Sequence, residues 1–251
     1  MAIKTRKISD WLSANGQAIT NASKATMEDA IRADVGQLYD GVFIMFHRKS
    51  DNYPLAVRVG SWASYQASGE IAEGVLLVEG GKHLVIAPTE ASSVKWSSKP
   101  ASSSDTSGSV QISGVTTTSD RTTALNDFAG RANTTAIING STSSNVTNTE
   151  DYAAGSCNRY SRTNANGKGL TAGRWWLPSM GEMAMIWANF DKINYALSKI
   201  SGATQLQATW YWSSTQRSAI YAWPLSLRDG NMSLNYKFTQ SRVRPVSAFL
   251  Y

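Results

Sequence analysis

The sequence predicts an α+β fold, with helices and short strands in its larger part and a small α/β region in front of them. Three observations carry this expectation. A two-glycine turn joins Gly74–Glu79 to Lys82–Ala87. A sharply punctuated helical stretch spans residues 179–200. From Thr209 onward the chain reads as short strands and turns.

Taken in order, residues 1–20 show no clear period, and Ser23–Leu38 predicts a helix with Met27, Ile31, Val35 and Leu38 on one apolar face. Val42–Phe46 is a short apolar strand. Leu55–Val59 alternates after the turn signal Asp51-Asn52-Tyr53-Pro54. Residues 60–69 (GSWASYQASG) have the small, polar composition of a junction. They divide the chain into a docking or oligomerisation region, 1–69, and a ligand-binding domain, 70–251. Gly80-Gly81 between two apolar runs is a strong hairpin cue. The Ser/Thr-rich tracts 97–123 and 133–149 read either as linkers or as long surface loops anchored by Trp96, Val110, Ile112 and Val115. Asn126–Asn133 falls within an expected helix bearing Leu125, Phe128 and Ala132.

Trp175-Trp176-Leu177-Pro178 leads into Ser179-Met180-Gly181-Glu182, which has the form of a capping box. Met183, Ile186, Trp187 and Phe190 follow at helical spacing. A second helix over Asp191–Ile200 stops at Ser201-Gly202. Glu182 has a second reading as a catalytic acid, but the capping role accounts for it more simply.

Composition narrows the function classes. The chain has 251 residues, 42% of them hydrophobic, enough for a sizeable core; nine Trp and ten Tyr exceed what a core of this size needs and suit a binding surface. The net charge of +6 comes from scattered residues rather than a basic run, so no nucleic-acid partner is expected. Cys157 is the only cysteine, which excludes an intramolecular disulfide and a multi-thiolate metal site, and it reads as a buried small hydrophobe. His47 and His83 lie in apolar strand-like runs and read as satisfied strand histidines rather than a metal pair. No cofactor or metal is expected. The first residues lack an apolar signal core, and no window holds 18–20 apolar residues. The expectation is a chain made in the cytoplasm without a signal peptide and not inserted into a membrane.

The segment 209–249 alternates a frame with positions that follow no local rule. The frame is Trp212-Ser213-Ser214-Thr215, Ala222-Trp223, Asp229-Gly230 and Arg242-Val243-Arg244-Pro245-Val246. Between its parts lie Gln216, Arg217, Ser218, Ala219, Tyr221, Pro224, Ser226, Arg228, Ser233, Asn235, Tyr236 and Phe238. Thr209, Tyr211, Gln240 and Ser241 complete a candidate ligand-binding set. Such a segment reads as a scaffold displaying interchangeable side chains. Tyr221, Tyr236 and Phe238 are the candidate large anchors, Arg217 and Arg228 the donors, and the serines adaptable polar contacts. Trp176, Trp212, Trp223, Arg242 and Arg244 are the candidate scaffold.

In order, Ala87-Pro88-Thr89-Glu90 with Trp96, Asn126–Asn133, Thr135–Ile138, Ala153-Ala154 with Cys157 and Tyr160, Trp176-Leu177-Pro178-Ser179 with Gly181-Glu182, Tyr211-Trp212-Ser213-Ser214-Thr215, Ala222-Trp223 and Arg242-Val243-Arg244-Pro245-Val246 resemble the C-type-lectin-like domains in variable proteins of diversity-generating retroelements, those of gut Bacteroides and their phages in particular. The resemblance covers about residues 70–251 and leaves 1–69 uncovered. It implies a C-type-lectin-like fold in which two helices pack on twisted antiparallel sheets, and a C-terminal ligand-facing segment, about 209–241, in which adenine-templated codons are randomised. Tryptophan codons contain no adenine, which fits Trp210, Trp212 and Trp223 as frame. Most candidate positions hold residues reachable from an asparagine codon; Gln216 and Gln240 require another template codon.

The leading expectation is a non-enzymatic receptor-binding protein, at a phage tail-fibre tip in the virion or as an adhesin on a bacterial surface. Its target would be a cell-surface protein or glycan, and it would act as a homo-oligomer, such as a trimer, gaining avidity. A fixed-specificity lectin-like module is the alternative. An enzyme resembling the formylglycine-generating oxidases is disfavoured, because those use a pair of cysteines and this chain has one. A calcium-dependent lectin is disfavoured because Asp229-Gly230-Asn231 supplies a single carboxylate.

Overall fold

Asn52 is the one non-glycine described residue with a left-handed backbone, φ 60°, and it sits in the turn that closes the first strand pair. The structure, a computed structural model, describes residues 39–249, and the chain from Asp40 onward forms one compact unit. The helix expected over Ser23–Leu38 lies outside the described residues. Strand β1 (Gly41–His47) pairs antiparallel with β2 (Pro54–Arg58) on one side and β3 (Gly74–Glu79) on the other. Strand β4 (Lys82–Ile86) follows through Gly80 and Gly81, whose φ values of 55° and 76° are those of the primed turns that match strand twist. The terminal strand β12 (Val246–Ser247) completes the order β12-β4-β3-β1-β2.

The soft boundary expected over 60–69 does not divide the described residues. That stretch is a 3-10 turn, Val59–Ser61, and helix α1 (Trp62–Ala67). Trp62 is buried, with its ring 5.4 Å from that of Phe46, so the strands on either side share one sheet and one core. A junction-like composition hid a single buried anchor.

The second sheet runs β10-β9-β8-β11-β5. It is built from β5 (Ala91–Lys95), β8 (Trp210–Gln216), β9 (Tyr221–Ser226), β10 (Asn235–Tyr236) and β11 (Gln240–Val243). All its pairings are antiparallel except β8 with β11, which meet in parallel at Tyr211 and Arg242. Strands β6 (Arg162–Thr163) and β7 (Gly169–Leu170) form a separate small hairpin. The other helices are α2 (Arg121–Leu125), α3 (Gly130–Asn139), α4 (Ala153–Arg159), α5 (Met180–Ala188) and α6 (Phe190–Leu197). The architecture is α+β.

Two apolar cores result. In one, Ile44, Phe46, Val75 and Leu77 of the first sheet meet Met183, Ile186, Ile193 and Leu197 of the helix pair, with Tyr211, Trp223 and Leu225. In the other, Val94, Trp96, Ile112, Val115, Ile137, Cys157, Trp212 and Val243 pack together. Ile112 and Val115 tie the first Ser/Thr-rich tract down as a surface loop, whereas Val110 stays exposed; the second tract begins inside α3 and is a loop only from Gly140 onward. Cys157 is buried, and burial pushes its thiol well above the usual range. His47 is buried with Nδ1 2.9 Å from both oxygens of the buried Glu73.

The helix expected through Asn126–Asn133 is broken between α2 and α3. Asp127 breaks it: its carboxylate accepts hydrogen bonds from Ala129 N–H, the Asn133 amide and the Thr215 hydroxyl, each at 2.8–2.9 Å. Its carbonyl accepts from Gly181 N–H and the Ser179 hydroxyl. Bonds that a helix would make locally are made across the fold instead. Leu125 and Phe128, two of the apolar residues of the expected helix, are exposed.

Candidate functional site

Strand β8 is the central beam of the second sheet, and its neighbours cover both of its faces. Trp212 donates from Nε1 to Val94 O at 3.1 Å, and the Ser213 hydroxyl donates to Trp223 O at 2.6 Å. The Thr215 hydroxyl accepts from Met180 N–H at 2.8 Å while it donates to Asp127, locking the strand to the start of α5. There Ser179 and Glu182 form the expected capping box, with Ser179 N–H donating to Glu182 Oε2 at 2.8 Å and Trp176 Nε1 to the same oxygen at 3.2 Å. Burial pushes the Glu182 carboxyl up to about 7. Trp223 Nε1 reaches Thr118 O at 2.9 Å.

At the other end of β8, Glu90 gathers three partners. Arg242 Nη1 donates to one oxygen at 2.8 Å; the Tyr211 hydroxyl at 2.7 Å and Arg244 Nη2 at 3.2 Å meet the other. The fully buried Arg244 also donates to Ala87 O and Thr204 O, both at 2.9 Å. Burial and the Glu90 carboxylate both hold the Tyr211 phenol far above its ordinary value. These residues occupy frame positions.

The covering of β8 corrects part of the candidate ligand set. Tyr211, Gln216, Pro224, Ser226 and Ser241 are buried, and Gln216 is wholly inaccessible. Gln216 Nε2 donates to the Thr117 hydroxyl at 2.8 Å, and its Oε1 accepts from Ile112 N–H and from Lys237 Nζ. These five side chains belong to the frame, and a ligand cannot reach them as they stand.

The others reach the surface, but not together. Thr209 and Arg228 sit at the end of the β8–β9 hairpin away from its turn, where Arg228 is 3.5 Å from Asp229. Hydrogen bonds from Ser226 and Asn231 lower the exposed Asp229 carboxyl, as expected of a turn built around Gly230 at φ 73°. Gln240 lies on β11 beside Lys95 of β5 and accepts from the Ser93 hydroxyl at 3.0 Å. Ser233 is half-buried, with its N–H donating to Pro224 O.

The structure does bring together the turn that follows β8 and the edge strand β10. Tyr221 and Tyr236 stand opposite each other with ring centroids 4.6 Å apart, and Phe238 stacks on Tyr236 at 5.1 Å. All three are half-buried. The Arg217 guanidinium lies 6.0 Å from the Tyr221 ring and 5.6 Å from the Trp223 ring. Ser218 Oγ accepts from Ile220 and Tyr221 N–H and closes the turn, leaving Ala219 at its tip. Asn235 pairs with Ala222 beside them. The neighbouring Tyr236 hydroxyl raises the Tyr221 phenol. The result is a strip of three rings and one guanidinium, able to stack on a ligand and to donate to it.

Lys237 underlies this strip and was not among the candidates. It is buried, its Nζ donates to Val110 O at 3.2 Å and to Gln216 Oε1, and it lies 4.4 Å above the Trp96 ring. Burial pulls its ammonium down to about 7. Its position between the half-exposed Tyr236 and Phe238 is the two-residue alternation of an edge strand, and that was the available signal.

Among the described residues no cluster of His, Cys, Asp and Glu is arranged to hold a metal ion, and no helix is long and apolar enough to cross a membrane. No protein-family model matches this chain, and no curated protein does either. Among solved structures it is similar to a fimbrial protein from Bacteroides ovatus, at 19% identity and a TM-score of 0.41 over 66% of this chain. The match spans 36% of that protein's length.

Proposed function

We propose that the unit beginning at Asp40 is a non-enzymatic, C-type-lectin-like binding module whose ligand face is the strip Arg217, Tyr221, Tyr236 and Phe238, with Ser218, Ala219 and Asn235 at its margin. One observation carries this reading: three half-exposed aromatic rings lie in a row where β9 meets the edge strand β10, Tyr236 4.6 Å from Tyr221 and stacked on Phe238 at 5.1 Å, above a hydrogen-bonded frame. Such rings offer contact area with little conformational entropy to lose, as binding surfaces require. Side chains at this rim are replaceable without disturbing either core. The setting we propose is a phage tail-fibre tip or a bacterial surface adhesin, recognising a cell-surface protein or glycan, with the chain before Asp40 contributing docking or trimerisation.

Deep sequencing of the coding segment across a growing population tests the diversified form of this proposal. Substitutions at codons 217–221 and 235–238 that spare Trp212, Gln216, Trp223 and Arg244 are the expected result. An invariant segment would assign the same face to a module of fixed specificity, and the engagement of Gln216 and Lys237 directly beneath the strip already narrows what can vary. The face itself is tested by probing an array of glycans and surface proteins with the native chain and with Tyr236→Ala. Binding indifferent to that change would place the ligand elsewhere.

A further inference from the structure

A second concavity lies away from the strip. Helix α3, the loop before it and the first turn of α5 border an open, shallow groove of about 700 Å³, within the range of small-molecule sites. Phe128 and Trp176 line it, Ala132 and Ala136 supply its apolar side, and Glu182 lies within it. A smaller recess of about 240 Å³, lined by Arg131, Arg174 and Trp176, shares two residues with it.

Three exposed polar side chains that line the two recesses have no protein partner. Among the described residues, the guanidinium groups of Arg131 and Arg174 and the side-chain amide of Asn139 make no hydrogen bond or ion pair, although all three line the two recesses. Lys82 lies outside the lining, 4.0 Å from the centroid of the Phe128 ring. The one carboxyl lining the groove is Glu182, buried on its floor; it accepts from Ser179 and Trp176 and is largely uncharged below about pH 7. Two guanidinium groups against one carboxyl leave the two recesses cationic, with an apolar wall and two groups, Asn139 and Glu182, able to donate and accept.

We propose that this groove binds an acidic sugar, a hexuronic acid unit of a glycan, with the ligand carboxylate on Arg131 and Arg174. Planar guanidinium groups suit a carboxylate. The Asn139 amide and the Glu182 carboxyl suit ring hydroxyls, because each can donate and accept. An acidic peptide fits less well: an extended peptide needs backbone partners, and the walls built by α3 and α5 have theirs committed within the helices.

Saturation-transfer NMR on the full chain, titrated with methyl α-D-glucuronide and with methyl α-D-glucoside, tests this proposal. The glucuronide is expected to bind at least roughly tenfold more tightly, the effect of one charged hydrogen-bond pair. Arg131→Gln combined with Arg174→Gln should remove that preference. Ala132→Trp, on the exposed side of α3, should block the groove without entering either core; thermal unfolding checks that each variant is folded. Equal binding of the two glycosides, or glucuronide binding that survives both variants, overturns the proposal. So does glucuronide binding lost in Tyr236→Ala but kept in Ala132→Trp, which would move the sugar to the strip. Triglutamate binding in place of the glucuronide would make the occupant a peptide.

Discussion

Replacing Glu182 by Gln should make this protein more stable at neutral and alkaline pH, although it removes a capping carboxylate. Burial raises the carboxyl from an ordinary 4.5 to about 7. Below about pH 4.5 the group is protonated in both folded and unfolded chains. Between 4.5 and 7 the folded chain holds a proton that the unfolded chain releases, so stability falls as pH rises through this window. A shift of about 2.5 units corresponds to roughly 3 kcal/mol lost by pH 8. Glutamine is nearly the same size, and its amide oxygen can accept from Ser179 N–H and Trp176 Nε1 as Oε2 does. The variant should therefore keep the capping box and lose the pH slope. Urea unfolding of both proteins from pH 4 to 8 is the assay: the curves should coincide near pH 4 and diverge to about 3 kcal/mol, with the variant ahead. Taking the difference cancels other titrating groups, Lys237 included. A variant less stable at pH 8, or a difference flat across the window, would refute the reasoning, because it would mean that the carboxylate is ionised and favourably held.

Lys237 should act in the opposite sense, since its folded value of about 7 lies below the ordinary 10.5. Stability should climb as pH rises from 7 towards 10.5, by up to roughly 5 kcal/mol, and Lys237→Met should flatten that climb in urea titrations at pH 6.5 and 9.5. Contacts with Val110 O, Gln216 and the Trp96 face favour the charged form and set that figure as an upper bound. Arg244→Leu removes a buried cation that meets Glu90 and two carbonyls, and should destabilise the fold by about 3–5 kcal/mol in thermal or chemical unfolding. A loss below about 1 kcal/mol would show that Arg242 alone satisfies Glu90.

What could be read from the sequence was what local chemistry decides. The Gly80-Gly81 hairpin follows from backbone freedom at two adjacent residues, and the start of α5 follows from a cap and its reciprocal partner three residues on. The frame tryptophans were legible because they interrupt an otherwise polar, small-residue segment. Long-range coverings were not legible. Gln216 looks like a displayed polar residue until Ile112, Thr117 and Lys237 arrive from elsewhere in the chain to enclose it. Asp127 looks helical until Thr215 and Asn133 claim its carboxylate. The strip was half-visible: Tyr221, Tyr236 and Phe238 were candidates, but only pairing of β10 with β9 stacks them.

The closing strand β12 has a consequence for how this surface can change. Val246 pairs with Ile86 in the first sheet and bridges Trp176, while Arg244 just before it is tied to Glu90, Ala87 and Thr204. Everything between β8 and β12 is thus strung between two fixed moorings. A residue added or removed between Gln216 and Gln240 would have to be absorbed within the short turns, or it would drag β12 out of step with β4 and turn Val246 away from the core. The surface is free to change its lettering but not its line length, so variants of this protein should differ by substitution and keep the count of residues from Trp212 to Val246 constant.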